Sequence, residues 1–285
     1  MSLGVHLKNN LGSELSGNGL TTSLWADCPI DSIRAGTIPG IIVEPPLESY
    51  ESTATTVENM CGVPTFEGNC TVSGVAAAGG GVALFGTTDN EEASLAICGE
   101  TSAPFVIPAD SADGKKLWFE CEIKKSIITT TKAGFFVGLA SEGAAVADFM
   151  ADGGADFSDV DLLGFWNDET DATYAGAEVL AVTQKTSAAF DTIIEAVEVL
   201  EADTYTRLGF KYDPKAVDTQ KIKFYVNGAQ QSTYVGENSG DATVYLGDTT
   251  NFPGGEEMGP VVAIKMAAGD DVTVTLRKLR CVQLL

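Results

Sequence analysis

Short apolar runs, separated by turn residues, recur along most of the chain. The clearest run covers residues 117–124, where apolar side chains occupy every second position and alternate with Trp118, Glu120, Glu122 and Lys124. Successive side chains of a strand point to opposite faces of a sheet, so this period of two predicts a half-buried antiparallel strand.

Similar runs elsewhere predict about a dozen short strands. Asp213-Pro214 and Asn227-Gly228 supply turns, and Asn-Gly is a strong hairpin signal. Residues 192–200 fit a strand or a short helix, because Ala and Glu tolerate both states. Strands and helices do not alternate along the chain, so we expect an all-β, antiparallel sandwich. The strand runs are 82–85, 93–98, 104–107, 117–124, 134–140, 162–166, 178–183, 192–200, 205–212, 221–228, 261–266 and 272–277.

The pattern divides the chain into two parts. Residues 1–48 lack sustained periodicity and are rich in Gly, Ser, Asn and Pro, which predicts an extended N-terminal arm. Such an arm is either a disordered terminus or a segment bound by other chains. Residues 49–285 contain the strand runs and form the predicted sandwich.

Charge and composition limit the classes of partner that the protein can bind. The 285 residues include 17 basic and 40 acidic side chains, a formal charge of −23. A protein so acidic is repelled by nucleic acid and by anionic membranes, so neither is an expected partner. No run reaches the roughly 18 apolar residues of a membrane span, and residues 1–8 do not resemble a secretory signal. We therefore expect the protein to stay in the compartment where it is made, unless it leaves inside an assembly.

The six cysteines are scattered and do not resemble a disulfide scaffold. Cys121 and Cys281 lie in strand runs and are expected to be small buried hydrophobic residues. Cys61 and Cys70 bracket a loop, and they either pair or remain free thiols.

Three segments carry a resemblance to a known family. They are residues 116–140 with Phe-Phe-Val-Gly-Leu-Ala, residues 162–166, and residues 204–228 with Leu-Gly-Phe-Lys-Tyr-Asp-Pro and Phe-Tyr-Val-Asn-Gly. This pattern resembles the concanavalin A-like, laminin-G-like jelly-roll sandwich. Within that group it looks most like structural proteins of tailed-bacteriophage virions, in which such sandwiches decorate or cement the capsid.

The resemblance implies a non-enzymatic capsid decoration protein. Its expected partners are the major capsid protein of a phage head and further copies of itself, with a trimer suited to local three-fold positions. Its expected location is the virion, assembled in the bacterial cytoplasm. In this interpretation the arm contacts the capsid, and the candidate contact residues are His6, Lys8, Trp25 and Arg34.

Catalytic patterns are incomplete. Glycosidases of this fold place two carboxylates two positions apart, followed by a third carboxylate. Glu169 with Asp171, and Glu201 with Asp203, match this spacing but lack the third carboxylate. His6 is the only histidine, and Ser-His-Asp or Cys-His catalysis requires a positioned histidine. We therefore expect no enzymatic activity.

An acidic loop and two tryptophans support the alternative function, a carbohydrate-binding, lectin-like module of a tail or adhesin. Four carboxylates of this loop are candidate calcium ligands, although their spacing matches no known calcium-binding loop. The alternative is an acidic loop that is only solvated. No other cofactor is expected. Trp118 and Trp166 either stack on a sugar or pack in the core. The candidate ligands are Asp152, Asp156, Asp159 and Asp161.

Overall fold

The structure is a computed structural model. It describes residues 22–45, 47, 65–75, 80–99, 101–107, 115–129, 132–145, 148–151, 157–167, 176–188, 191–216, 221–231, 252–267, 269 and 271–285. The statements below concern these residues.

Two antiparallel sheets contain the strands of the described chain. The strands are β1 (Gly40–Val43), β2 (Thr65–Gly68), β3 (Thr71–Gly74), β4 (Val82–Gly86), β5 (Glu92–Ala96), β6 (Phe105–Val106), β7 (Leu117–Lys125), β8 (Ala133–Ser141), β9 (Leu162–Asn167), β10 (Glu178–Gln184), β11 (Asp191–Val199), β12 (Thr206–Tyr212), β13 (Ile222–Val226), β14 (Ala229–Gln230), β15 (Glu257–Met266) and β16 (Val272–Leu284). In sheet A the order is β14-β13-β12-β7-β16-β4-β3, and β1 also pairs with β16. In sheet B the order is β11-β10-β9-β8-β15-β5-β2, and β6 also pairs with β15.

The main core lies between the two sheets. The apolar positions of β7 that recur with a period of two face this core, as their pattern predicts. Aromatic rings join the sheets: Phe165 of β9 contacts Phe224 of β13 edge to face, with centroids 5.6 Å apart. Phe119 and Phe210 stack at 5.0 Å within sheet A. Residues 191–199 form a strand, which resolves the choice between strand and helix.

A buried lysine connects the sheets at one end of the core. Lys125, the last residue of β7, is 1% exposed. Its Nζ donates to the Asn167 side-chain oxygen at 2.6 Å, to the Gly176 carbonyl at 3.2 Å and to the Ala133 carbonyl. Asn167 in turn donates to the carbonyls of Gly176 and Glu178. These bonds satisfy polar groups that would otherwise be costly to bury.

Part of the predicted arm folds onto the outer face of sheet A. Helix α1 (Thr22–Trp25) and helix α2 (Ile30–Arg34) precede β1, which pairs with the end of β16. These helices are too short to show a helical period in the sequence. Their apolar side chains form a cluster with residues of the sheet: Leu24, Trp25, Ile30, Ile33, Trp118, Tyr225 and Val282.

Trp118 is on the outer face of its sheet, as the alternation predicts, but it is fully buried because this N-terminal segment covers it. The helices of the described chain are at most five residues long, and none of them is a candidate membrane span. Cys70 is a buried free thiol, which is the second of its two predicted states, and Cys61 lies outside the described residues.

Candidate functional site

A short segment covers part of the outer face of sheet B. We call residues 148–151 and 157–160 the cover. An antiparallel β-bridge between Met150 and Phe157 joins these two parts. Phe149 and Phe157 contact Phe136 of β8 edge to face at 5.4 and 5.5 Å, and Phe157 contacts Trp166 of β9 at 5.3 Å. The cover therefore shields apolar side chains that the sheet would otherwise expose to water.

An open cleft lies beside the cover, at the end of sheet B. It is a shallow depression: about 220 Å³ of empty space lies between its walls, and part of that space is open solvent. The turn after β8 and the segment after β5 form its walls, and β15 forms its floor. The lining residues are Ala96, Cys98, Gly99, Ser102, Ala103, Ala140, Ser141, Glu142, Gly143, Ala144, Gly259, Pro260 and Val261.

Small residues keep this cleft open. A Cβ added at Gly259 would lie 3.0 Å from the Ser102 carbonyl oxygen, so a larger residue there would displace the wall. Gly143 has a φ of +77°, a conformation that other residues rarely adopt, and it turns the chain after β8. Glu142 at this turn is exposed. The cleft thus offers backbone groups, serine hydroxyls and one carboxylate at its rim.

Buried charges fix the cover to the sheet. Glu92 of β5 and Lys265 of β15 are 3% and 1% exposed. One Glu92 oxygen accepts a 2.7 Å hydrogen bond from the backbone N–H of Phe149, and the other lies 3.4 Å from Lys265 Nζ. Lys265 Nζ also donates to Asp148 at 3.2 Å. Burial raises the pKa of Glu92 to about 7, against the opposing attraction of Lys265.

The predicted calcium ligands separate into two groups. Asp161 is 5% exposed, and its two carboxylate oxygens accept hydrogen bonds from the backbone N–H and hydroxyl of Thr186 at 3.1 and 2.7 Å. Asp159 accepts a hydrogen bond from the Ser187 N–H. Both carboxylates therefore connect the loop to the turn after β10. Asp152 and Asp156 lie outside the described residues.

Two buried oxygens beside Asp159 and Asp161 are unsatisfied. The Gln184 side chain donates to the Ser158 carbonyl at 3.0 Å, whereas its own oxygen and the Ser158 hydroxyl have no hydrogen-bond partner among the described residues. Oxygen atoms are the ligands that Ca²⁺ prefers. Within the described ranges, however, no group of three or more acidic, histidine or cysteine side chains is arranged to hold a metal ion. Calcium binding remains a prediction.

The predicted contact residues of the arm have different environments. Trp25 is 2% exposed, and its indole N–H donates to Glu120 at 2.8 Å. Its side chain therefore contacts the chain's own sandwich and offers no surface to a partner. Arg34 is exposed and forms an ion pair with Glu44. His6 and Lys8 lie outside the described residues.

The predicted stacking and catalytic residues form no site in the described chain. Trp118 is fully buried and Trp166 is 5% exposed, so core packing, the alternative prediction, describes both. Asp203 of the second carboxylate pair is exposed and lies 3.4 Å from Lys124. Glu169 and Asp171 lie outside the described residues.

Sequence reasoning missed the charges beneath the cover. Glu92 and Lys265 are 173 positions apart in the chain and become neighbours because β5 pairs with β15. Lys265 interrupts the apolar run 261–266. A charged residue within such a run was the one signal in the sequence that could have indicated a buried charge.

Comparisons with solved structures identify the fold. The carbohydrate recognition domain of Emp46p, in its potassium-bound form, aligns over 84% of this chain and 95% of its own, with a TM-score of 0.53 and 13% identity. Peanut lectin aligns over 86% of this chain and 97% of its own, with a TM-score of 0.50 and 12% identity. No protein-family model and no curated protein sequence matches the chain.

At this level of identity the likeness concerns the fold alone. It confirms the fold predicted from the sequence, because both neighbours are lectin-type domains and the chain has the two facing antiparallel sheets of that class. The chain therefore has a concanavalin A-like jelly-roll fold.

Proposed function

We propose that the protein is a non-enzymatic carbohydrate-binding module that binds glycans at the cleft beside the cover. The observation that carries this proposal is the agreement of fold and position: a lectin-type sandwich has an open cleft among the turns at one end of a sheet. Ligand specificity on shared folds resides in loops that a rigid scaffold positions. The proposal uses the fold as an analogy and the cleft as the site.

The chemistry of the cleft suits neutral sugars. The hydroxyls of Ser102 and Ser141 both donate and accept hydrogen bonds, and the Glu142 carboxylate accepts them from sugar hydroxyls. Ala103, which is partly exposed, supplies apolar surface for the ring carbons. No aromatic side chain among the described residues is exposed, so the expected affinity comes from hydrogen bonds and is modest.

Calcium is part of this proposal as an organising ion. Asp159 and Asp161, with the unsatisfied oxygens of Ser158 and Gln184, would supply ligands near the same end of sheet B. Bound calcium would order the loop and affect the cleft through it. Glycan binding is then expected to weaken when a chelator removes the ion.

The test is calorimetric titration of the full chain with a panel of neutral oligosaccharides, in calcium and in chelator. Glu142→Ala should weaken binding about tenfold, because it removes a charged hydrogen-bond acceptor. Glu195→Ala is the matched control, since Glu195 is exposed on the edge strand β11. Absence of binding to every glycan, or equal loss in both variants, would contradict the proposal.

A second candidate is decoration of a phage capsid, as the sequence resemblance implies. One observation favours it: residues 22–43 are anchored to sheet A, which fixes the point on the sandwich to which residues 1–21 are attached. These residues include the candidate contacts His6 and Lys8. In this proposal the partners are the major capsid protein and further copies of the chain, and the location is the virion.

Co-sedimentation with undecorated phage heads tests this candidate. The truncated control should lack only residues 1–21, because a longer deletion would remove the buried side chains of Leu24 and Trp25. Binding of the full chain and loss of binding in the truncated one would support an arm anchor. Absence of binding by the full chain would reject the candidate.

A further inference from the structure

We infer that the cover on sheet B opens when Glu92 ionises, so that pH regulates access to the proposed glycan cleft. The regulatory consequence rests on the proposed function, whereas the opening is a property of the protein alone. Ala144 connects the two regions, because it lines the cleft and also belongs to the apolar cluster that contains Phe149. A movement of the cover therefore changes a wall of the cleft.

The geometry around Glu92 couples its charge to the cover. Glu92 is 3% exposed, and hydrogen bonds from the backbone of Phe149 and Met150 join it to the cover. Its second oxygen has no hydrogen-bond partner among the described residues and has only the 3.4 Å ion contact with Lys265. An ionised carboxylate in this position is under-solvated as long as the cover is closed.

The charges around Glu92 do not balance it. Lys265 faces it from β15, and Asp148 of the cover competes for the same ammonium. The adjacent residue, Glu91, is a further carboxylate, and it accepts hydrogen bonds from the Thr87 and Thr88 N–H groups. Among the described residues, two carboxylates thus share the Lys265 ammonium when Glu92 is ionised.

A further titratable neighbour in the described part of the chain is the thiol of Cys70. Burial, together with the charges of Glu91 and Glu92, raises the pKa of Cys70 to about 12, so this thiol stays neutral. Ionisation of Glu92 therefore gains no compensation from it.

The direction of the pH effect follows from linkage. In the closed state the pKa of Glu92 is about 7, and exposure to water returns it toward the ordinary value of 4.5. The closed state therefore binds a proton that the open state releases between these two values. Acid therefore favours closure, and rising pH favours opening. The equilibrium constant for opening is expected to increase roughly 10- to 100-fold between pH 5 and pH 8.

The backbone of the cover offers a direct readout. Amide hydrogen exchange of the full-length protein, measured by mass spectrometry on a peptide that contains Phe149 and Met150, reports its opening. After correction for the intrinsic pH dependence of exchange, the opening equilibrium should rise at least tenfold from pH 5 to pH 8. A peptide from β7, such as residues 117–124, should show no comparable change.

Three variants test the role of Glu92. Glu92→Gln should abolish the pH dependence, and Glu195→Gln, which removes an exposed carboxylate on the edge strand β11, should retain it. Asp148→Asn should lower the pH midpoint, because it removes a negative charge that repels ionised Glu92 and competes with it for Lys265. Asp148 is exposed and has a φ of +62°, which Asn tolerates, so this variant should fold even if Glu92→Gln does not.

The results separate this inference from the proposed function. A flat pH profile in the wild type, an unchanged profile in Glu92→Gln or an unchanged midpoint in Asp148→Asn would overturn the inference, whether or not glycans bind. If the cover opens with rising pH but the protein binds no glycan, the inference about the opening stands and the proposed function is rejected.

Discussion

The two sheets carry covers on their outer faces, and the two covers are fixed by different electrostatics. On sheet A, Asp27 of the N-terminal segment is partly exposed and accepts hydrogen bonds from Lys211, Lys116 and the Trp118 indole. On sheet B, Glu92 is almost fully buried, and its one cationic partner among the described residues, Lys265, also pairs with Asp148. A carboxylate with several partners stabilises its cover as an anion, whereas one with too few favours its protonated form.

This difference predicts opposite responses to pH. Although burial raises the pKa of Asp27, the bonds from Lys211 and Trp118 and the charge of Lys211 together lower it below 3.8. Its contribution to stability is therefore complete above about pH 4 and is lost as the pH falls further. The contribution of Glu92 runs the other way: stability falls as the pH rises from about 4.5 to about 7.

The largest effect is expected from Trp25→Ala on sheet A. It removes a large buried side chain and leaves a Glu120 oxygen without its indole partner. The expected loss is about 3–5 kcal/mol in the free energy of unfolding. Urea denaturation at pH 7 measures it, and a loss below about 1 kcal/mol would show that the N-terminal segment contributes little to the fold.

A comparable but pH-dependent effect is expected from Lys265→Met on sheet B. This change removes the cation beside Glu92, so ionised Glu92 becomes a buried, unpaired charge. The expected loss is about 3–5 kcal/mol at pH 8 and clearly less at pH 5, where Glu92 is protonated. Equal losses at both pH values would contradict the role assigned to Glu92.

A smaller effect is expected from Phe149→Ala in the cover. The change removes ring contacts with Phe136 and Phe157. Because the cover can open without unfolding the sandwich, the loss in global stability should be about 1–2 kcal/mol, below the usual range for a buried Phe. Hydrogen exchange in the cover should accelerate more than exchange in β7.

The smallest effect is expected from Asp27→Asn on sheet A. The ion pairs of Asp27 with Lys116 and Lys211 are partly exposed, so the loss at pH 7 should stay below about 1 kcal/mol. The decline in stability below about pH 4 should become shallower than in the wild type. An unchanged acid profile would show that another carboxylate controls this range.

Much of the fold could be predicted from the sequence, because strand patterning is local. The alternation in 117–124 and the Asn227-Gly228 turn predict β7 and the hairpin after β13, and both are present. The site was less predictable. Asp161 was a candidate calcium ligand, but it bonds to Thr186, a residue 25 positions away that sequence spacing does not connect to it.

The sequence by itself determined the fold class, the core-facing side of the strands and the acidic charge of this protein. These properties depend on the period of the pattern and on composition, which are read along the chain. Only the tertiary structure decided what covers each outer face, which buried charges meet, and that Trp25 and Trp118 lie beneath the surface. These features arise from contacts between residues far apart in the chain, and they depend on sheet pairing and burial that no local pattern encodes.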